Sequence, residues 1–221
     1  MVEFDPGKDR FLRLNLNSSN KKLRAEIFSD IDAFSQFVND EIEQSSCRYA
    51  IGGYNEYRDI YSRSAVFDGN NVDAEPRRRH LGLDIWGKAG TIVYCPVDAV
   101  VHSTGTNMAI GDYGATVILQ HQLDDIIFHT LYGHVSLDDL NLKPGTKING
   151  GQMFAHFGEP FENGHWPPHL HFQIIIDMED KTGDYPGVCR ESEKTYYLEN
   201  CPDPDLIADM NRYGIESIMK D

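Results

Sequence analysis

The chain has no Cys-x-x-Cys motif, no glycine-rich loop ahead of a helix, no apolar run of membrane-spanning length and a shortage of positive charge. Each lack narrows the field. Cys47, Cys95, Cys189 and Cys201 permit more than one pairing, but Cys95, inside Ile92-Val-Tyr-Cys-Pro96, reads as a small buried apolar residue, and free thiols are expected. The strongest apolar stretches, around Ile126–Phe128 and Phe172–Ile176, are strand-sized and far short of a bilayer span. With 20 Lys and Arg against 35 Asp and Glu, the formal charge of −15 argues against nucleic-acid phosphates and against loose adhesion to anionic polymers or membranes. Gly150-Gly151 reads as a turn between strands rather than a phosphate loop. The first residues carry Glu3, Asp5, Lys8, Asp9, Arg10 and Arg13, which leaves no apolar signal core. As written, the chain is expected to stay in the cytoplasm, or to be periplasmic or extracellular if a native leader is missing.

What is present reads as an ordinary globular protein, 40% apolar and 25% charged over 221 residues, with no internal repeat or low-complexity linker. Leu23, Ile27, Ile31, Phe34, Val38 and Ile42 recur at helical spacing, predicting an amphipathic helix over 21–44, capped from Asn17, Ser18, Ser19 or Asn20 and packed on the core. From about Leu81 to Ile176 the pattern changes to short β-branched and aromatic runs broken by Gly, Pro, Asn and Asp. That predicts a mainly β fold, an antiparallel sandwich or partly open barrel with a groove, flanked by N-terminal and C-terminal helices. The last helix is expected to begin near Pro204, with Leu206, Ile207, Met210, Tyr213 and Ile218 available for packing.

Three histidine motifs lie in order along the middle of the chain: His80-Leu-Gly-Leu-Asp84, Tyr132-Gly-His134 and His169-Leu-His171. A catalytic zinc takes three protein ligands from His, Asp or Glu and keeps one position open for water, so this set suits a zinc hydrolase with two imidazoles to spare. Each motif alone is weak, and an H-x-H pair is more often an accident or a surface pair. Residues two apart on a strand share a face, as do residues four apart, so His169 with His171, and His80 with Asp84, can look into one cleft if both stretches are extended.

With their connecting text, RRRHLGLDIWGKAGTIVYCPVDAVVHS, DYGATVILQH, FHTLYGHVS, LKPGTKINGGQMFAHFG and WPPHLHFQI, these motifs resemble the lysostaphin-type, or LytM-type, zinc metallopeptidases. Those enzymes cut peptide bonds in bacterial cell-wall peptidoglycan. The resemblance runs from about Arg77 to Gln173. It implies antiparallel sheets around a groove, one zinc ion per chain held by His80, Asp84 and His171, and an unliganded catalytic pair, His134 and His169. It also implies a division into an N-terminal helical extension and lead-in (1–76), a zinc metallopeptidase β core (77–177) and a C-terminal extension with a short helix (178–221). The implied partner is a peptidoglycan stem or cross-bridge peptide. The tail and Ile51-Gly-Gly-Tyr-Asn-Glu-Tyr-Arg58 also resemble a peptidase module fused in some bacteria to phosphotransferase-like and aminotransferase domains.

One departure bears on mechanism. Some relatives carry a tyrosine shortly before the first zinc histidine, where it stabilises the tetrahedral intermediate, but here Asn71-Val-Asp-Ala-Glu-Pro76 and three arginines occupy that stretch. Arg77, Arg78 or Arg79 could serve instead, or Tyr54, Tyr57 or Tyr61 could fold back; the plain alternative is solvated arginines. Residues 45–79 could also lie across the cleft, with Asn55 aimed at the metal, or form a surface loop. His165 and Trp166, in a Gly/Pro-rich loop, are candidate substrate-binding residues, core packing being the alternative for Trp166. His102, His121, His129 and His156 are expected to be structural or surface residues. The missing leader also fits an intracellular zinc hydrolase of a small amide or dipeptide, and a non-catalytic regulatory module of the same fold is the remaining alternative.

Overall fold

The computed structural model describes residues 1–68 and 74–216. Its strands are β1 (Phe11–Arg13), β2 (Tyr49–Gly52), β3 (Arg79–His80), β4 (Leu83–Trp86), β5 (Ile92–Tyr94), β6 (Ala99–Asn107), β7 (Gly114–Leu123), β8 (Ile126–Val135), β9 (Lys147–Ile148), β10 (Met153–His156), β11 (His169–Ile175), β12 (Val188–Cys189) and β13 (Gly214–Ile215). Its α-helices are α1 (Ala25–Phe28), α2 (Ile31–Ser45), α3 (Lys194–Asn200) and α4 (Asp205–Ala208). Among the described residues, nine strands form one open sheet in the order β13-β1-β2-β4-β11-β8-β7-β6-β9, with β5–β10 and β3–β12 as separate pairs. The mainly β architecture is the one the short apolar runs imply. Among the described residues no helix is long and apolar enough to cross a membrane.

The sheet is mixed at one edge, because β1 runs parallel to both β2 and β13. Parallel neighbours need a crossover, and the amphipathic segment supplies it between β1 and β2. That segment is two helices rather than one. Asp30 takes an extended backbone and its carboxylate accepts the Ala33 N–H at 2.9 Å, so α2 is capped from within the predicted helix. Asn17 instead holds a turn, its side chain accepting the Ser19 N–H. The predicted C-terminal helix is likewise a single turn, α4. The Asp205 carboxylate accepts the Met210 and Asn211 N–H groups, Asp209 turns left-handed (φ 49°), and the chain leaves for β13; Ile218 lies outside the described residues.

Strand alternation divides the core and positions the site. Leu83 and Ile85 of β4 and Leu170 and Phe172 of β11 join Val117, Leu119 and Tyr132 in one apolar cluster, which Val93 and Ala155 of the β5–β10 pair complete. The intervening residues of β4 and β11, among them Asp84, Trp86, His169 and His171, belong to the opposite face. There Phe34 of α2 and Ile60, Tyr61 and Phe67, from two 3-10 turns at Asp59–Arg63 and Ala65–Phe67, pack with Trp86 and Trp166.

Candidate metal centre

The antiparallel register of β4 and β11 sets His171 directly opposite Asp84 and His169 opposite Trp86. His80 arrives by a separate route. It sits on β3, paired with Val188, and the chain breaks at Leu81-Gly82 before entering the main sheet. The single extended stretch that would have aligned His80 with Asp84 is therefore two strands in two sheets, and the two side chains meet across the break. Glycine is required there: a Cβ on Gly82 would run into the His171 imidazole.

His80, Asp84 and His171, all buried, form the one group of three His, Cys, Asp or Glu side chains among the described residues that could hold a metal ion. His80 Nε2 lies 2.9 Å from His171 Nδ1 and 3.3 Å from Asp84 Oδ1, and His171 Nδ1 lies 3.2 Å from the same oxygen. The outer nitrogens fix the tautomers. His80 Nδ1–H donates to the Gly53 carbonyl at 2.9 Å. His171 Nε2–H donates to Gln173 Oε1 at 2.9 Å, and the orientation of that amide follows from its own N–H donating to the Pro186 carbonyl at 3.1 Å. Both inner nitrogens are then lone pairs aimed at each other and at a carboxylate oxygen. Three acceptors converging without a proton fit a cation, and a tetrahedral zinc with bonds of about 2.0–2.1 Å calls for ligand separations of about 3.3–3.4 Å, close to those found.

His134 and His169 lie beside this group with ring centroids 4.1 Å apart. His134 is the extra residue of a β-bulge: Ala115 pairs with Val135 and Thr116 with Gly133, leaving it unmatched, and its φ is +63°. The bulge re-aims a side chain that strict alternation would send into the apolar layer with Tyr132. Its Nδ1–H donates to the Asn163 carbonyl at 2.8 Å, and His169 Nδ1–H donates to the Pro167 carbonyl at 2.8 Å, so both Nε2 atoms carry the lone pair. The His169 ring stacks on Trp86 at 3.9 Å.

Burial keeps His80, His134 and His169 neutral. It lowers His80 to about 3, helped by the Arg58 charge, and His169 to about 4, and it holds His134 well below the ordinary histidine value. Burial alone would raise the Asp84 carboxyl, but the Arg58 guanidinium against it holds it well below the usual carboxylate range.

A cavity of about 130 Å³ opens on the group, walled by Arg58, Tyr61, Phe67, Tyr113, Trp166 and Tyr185. Trp166, 4% exposed, both lines this cavity and packs edge-on to Phe34 and Tyr61, while His165 is exposed and is not among the lining residues. The three arginines are not free surface charges. Arg77 packs over the Phe67 ring and lines the cavity, Arg78 pairs with Asp68, and Arg79 pairs with Glu191 at 2.6 Å. Tyr61 is the upstream tyrosine that folds back to the cavity; the Tyr54 hydroxyl donates to the Cys201 carbonyl instead. Asn55 is not among the lining residues. His121 and His129 are buried on β7 and β8, and His156 pairs with Asp139 at 3.0 Å. Sequence reading missed Arg58, Tyr113, Asn163 and Gln173; only Gln173, two residues beyond His171 on the same strand face, had a periodicity that could have flagged it.

Residues 78–182 match the model of peptidase family M23. The matched segment, 105 of the 221 residues, is similar to that family. All five motif positions lie inside the matched segment, which reaches a few residues beyond the stretch that carried the resemblance. No curated protein matches the chain. Solved structures similar to it include a zinc-containing peptidase from Vibrio cholerae, at 23% identity over 50% of this chain and 31% of that one, with a TM-score of 0.38. The catalytic domain of lysostaphin from Staphylococcus simulans is similar at 18% identity over 74% and 96%, TM-score 0.41. The prophage-encoded M23 protein EnpA from Enterococcus faecalis, as its catalytic domain, is similar at 19% identity over 56% and 99%, TM-score 0.38. The chain thus spans about a third of the Vibrio peptidase, 31% of its length.

Proposed function

We propose that this protein is a zinc-dependent metalloendopeptidase that hydrolyses peptide bonds of bacterial peptidoglycan, with His80, Asp84 and His171 holding one zinc ion. The observation that carries the reading is the convergence of two imidazole lone pairs and a carboxylate oxygen within 3.3 Å of one another, each held from behind by a hydrogen bond. When bound, zinc would supply Lewis acidity and a water of lowered pKa. His134 and His169, with free Nε2 atoms and their opposite nitrogens tied to carbonyls, are the groups to take a proton from the attacking water and return one to the leaving amine. Tyr61, whose hydroxyl already accepts from Arg58 at 3.1 Å and keeps its own proton to give, is the candidate donor to the developing oxyanion. Trp166 would wall the substrate, with His165 on the exposed turn before it meeting substrate at the rim. On this reading 77–177 is the catalytic core, with 1–76 and 178–221 as extensions of it.

A second reading, hydrolysis of a short peptide or small amide, is favoured by the cavity's size. About 130 Å³ is small beside the about 300–1,000 Å³ usual for ligand sites. Digestion of purified cell wall, soluble muropeptides and dipeptide amides by zinc-loaded protein, followed by mass spectrometry, separates the two. Release of stem or cross-bridge peptides from intact wall, lost in His134→Ala, supports the endopeptidase. Turnover of small amides with wall untouched transfers the activity to the small substrate, and zinc binding without turnover of any of them favours a non-catalytic module.

A further inference from the structure

The two oxygens of Asp84 are divided between different partners. Oδ1 faces His80 Nε2 and His171 Nδ1, whereas Oδ2 accepts the Arg58 guanidinium at 2.6 Å. Arg58 is only 2% exposed, and the same guanidinium donates to Glu56 Oε2 at 2.7 Å and to the Tyr61 hydroxyl at 3.1 Å. Glu56 is anchored in turn, its second oxygen accepting the Leu16 N–H at 3.0 Å. Five residues upstream of Arg58, the Gly53 carbonyl accepts the outer N–H of His80. Gly53 has φ +104°, and a Cβ there would run into both the Arg58 guanidinium and the His80 ring, so glycine is what allows this turn to close on the site.

We propose that Arg58 is a positioning residue of the metal centre: by occupying Oδ2 it commits Asp84 to the metal through one oxygen, and it makes the 53–61 segment a fixed wall of the site. The proposal rests on the metal reading of His80, Asp84 and His171. A carboxylate with both oxygens free can rotate or bind through both, and a buried guanidinium on one of them removes that freedom. A strap laid over the cleft merely to block it would touch substrate-binding surface. This one reaches behind the ligands, from Gly53 to His80 and from Arg58 to Asp84, and lifting it would strip two ligands of their outer partners.

The test uses the full chain and compares wild type with Arg58→Gln, Arg58→Lys, Asp84→Asn and the Arg58→Gln/Asp84→Asn double variant. Zinc affinity is read by competition with a chromogenic chelator, the ligand field by the visible spectrum of the cobalt-substituted protein, and folding by far-UV circular dichroism. Arg58→Gln is expected to weaken zinc binding about 10- to 100-fold and to alter the cobalt spectrum. Arg58→Lys should fall between it and wild type, since an ammonium restores the charge but cannot serve Glu56 and Asp84 together in the guanidinium's geometry. In the Asp84→Asn background the same Arg58 change should cost little more, because its target is gone. A folded Arg58→Gln with wild-type affinity and cobalt spectrum overturns the proposal; if that variant does not fold, a wild-type affinity and spectrum in Arg58→Lys overturns it. Wild-type protein that binds neither zinc nor cobalt overturns the metal reading itself.

Discussion

Replacing Gln173 by Leu isolates what the hydrogen bonds behind His171 contribute. Gln173 is fully buried; its Oε1 accepts the His171 Nε2–H at 2.9 Å and its amide donates to the Pro186 carbonyl at 3.1 Å. Leucine removes these bonds, with the amide's further contacts to Cys201 Sγ at 3.2 Å and the Tyr113 hydroxyl at 3.5 Å, and leaves a buried imidazole N–H and the half-buried Pro186 carbonyl without those partners. The Tyr113 hydroxyl, 3.4 Å from the same nitrogen, is too far to replace the amide without moving. At about 1–3 kcal/mol per orphaned group, less what the apolar side chain regains, the metal-free protein should lose about 2–4 kcal/mol, a large part of the about 5–15 kcal/mol usual for a domain. Zinc binding should suffer as well. Ligation through Nδ1 requires the proton on Nε2, and without an acceptor there the affinity should drop about 10- to 100-fold, equivalent to about 1.4–2.7 kcal/mol. Urea titrations with and without zinc read both quantities, because the zinc-induced gain in stability reports the affinity. A Gln173→Leu protein within about 0.5 kcal/mol of wild type and with unchanged zinc affinity would refute the tautomer argument.

Two further predictions concern packing and pH. Phe34 is fully buried and meets Trp86 and Trp166 edge-on at 5.9 and 6.4 Å, so Phe34→Ala should cost about 3–5 kcal/mol in urea unfolding, and a loss under about 1 kcal/mol would contradict the packing account. For His129, burial and then the neighbouring His102 and His121 lower the imidazole from 6.5 to about 4, with Asp177 opposing. The unfolded chain therefore binds the extra proton across that interval. The stability this group contributes is complete above pH 6.5 and is lost as pH falls towards 4, by about 3 kcal/mol. His129→Leu should flatten the pH dependence of unfolding over that window, and parallel curves for variant and wild type would count against it.

The sequence made the β core legible because its strands are short apolar runs between turn residues, and those runs become β5 to β11. The edge was not legible. β1, β2 and β13 are two to four residues long, too short for periodicity to register, and they are strands only because the crossover through α1 and α2 brings them together. The break at Asp30 was hidden because apolar spacing runs through it while the carboxylate caps the second helix. At the site, alternation on β11 foretold that His169 and His171 share a face. The convergence of His80 depended on a kink at Gly82, and the aim of His134 on a bulge, and neither has a one-residue signature. Arg58 was illegible for a related reason: a lone arginine in a segment without periodicity gives no sign that it will be buried against Asp84, 26 positions away.

The measurement that bears most directly on the central claim is zinc content by elemental analysis of wild type, Asp84→Ala, His171→Ala, His134→Ala and His169→Ala. About one zinc per chain is predicted for wild type, His134→Ala and His169→Ala, with the metal lost from Asp84→Ala and His171→Ala. Zinc retained by Asp84→Ala, or lost from His134→Ala while that protein stays folded, would contradict the assignment of the metal centre.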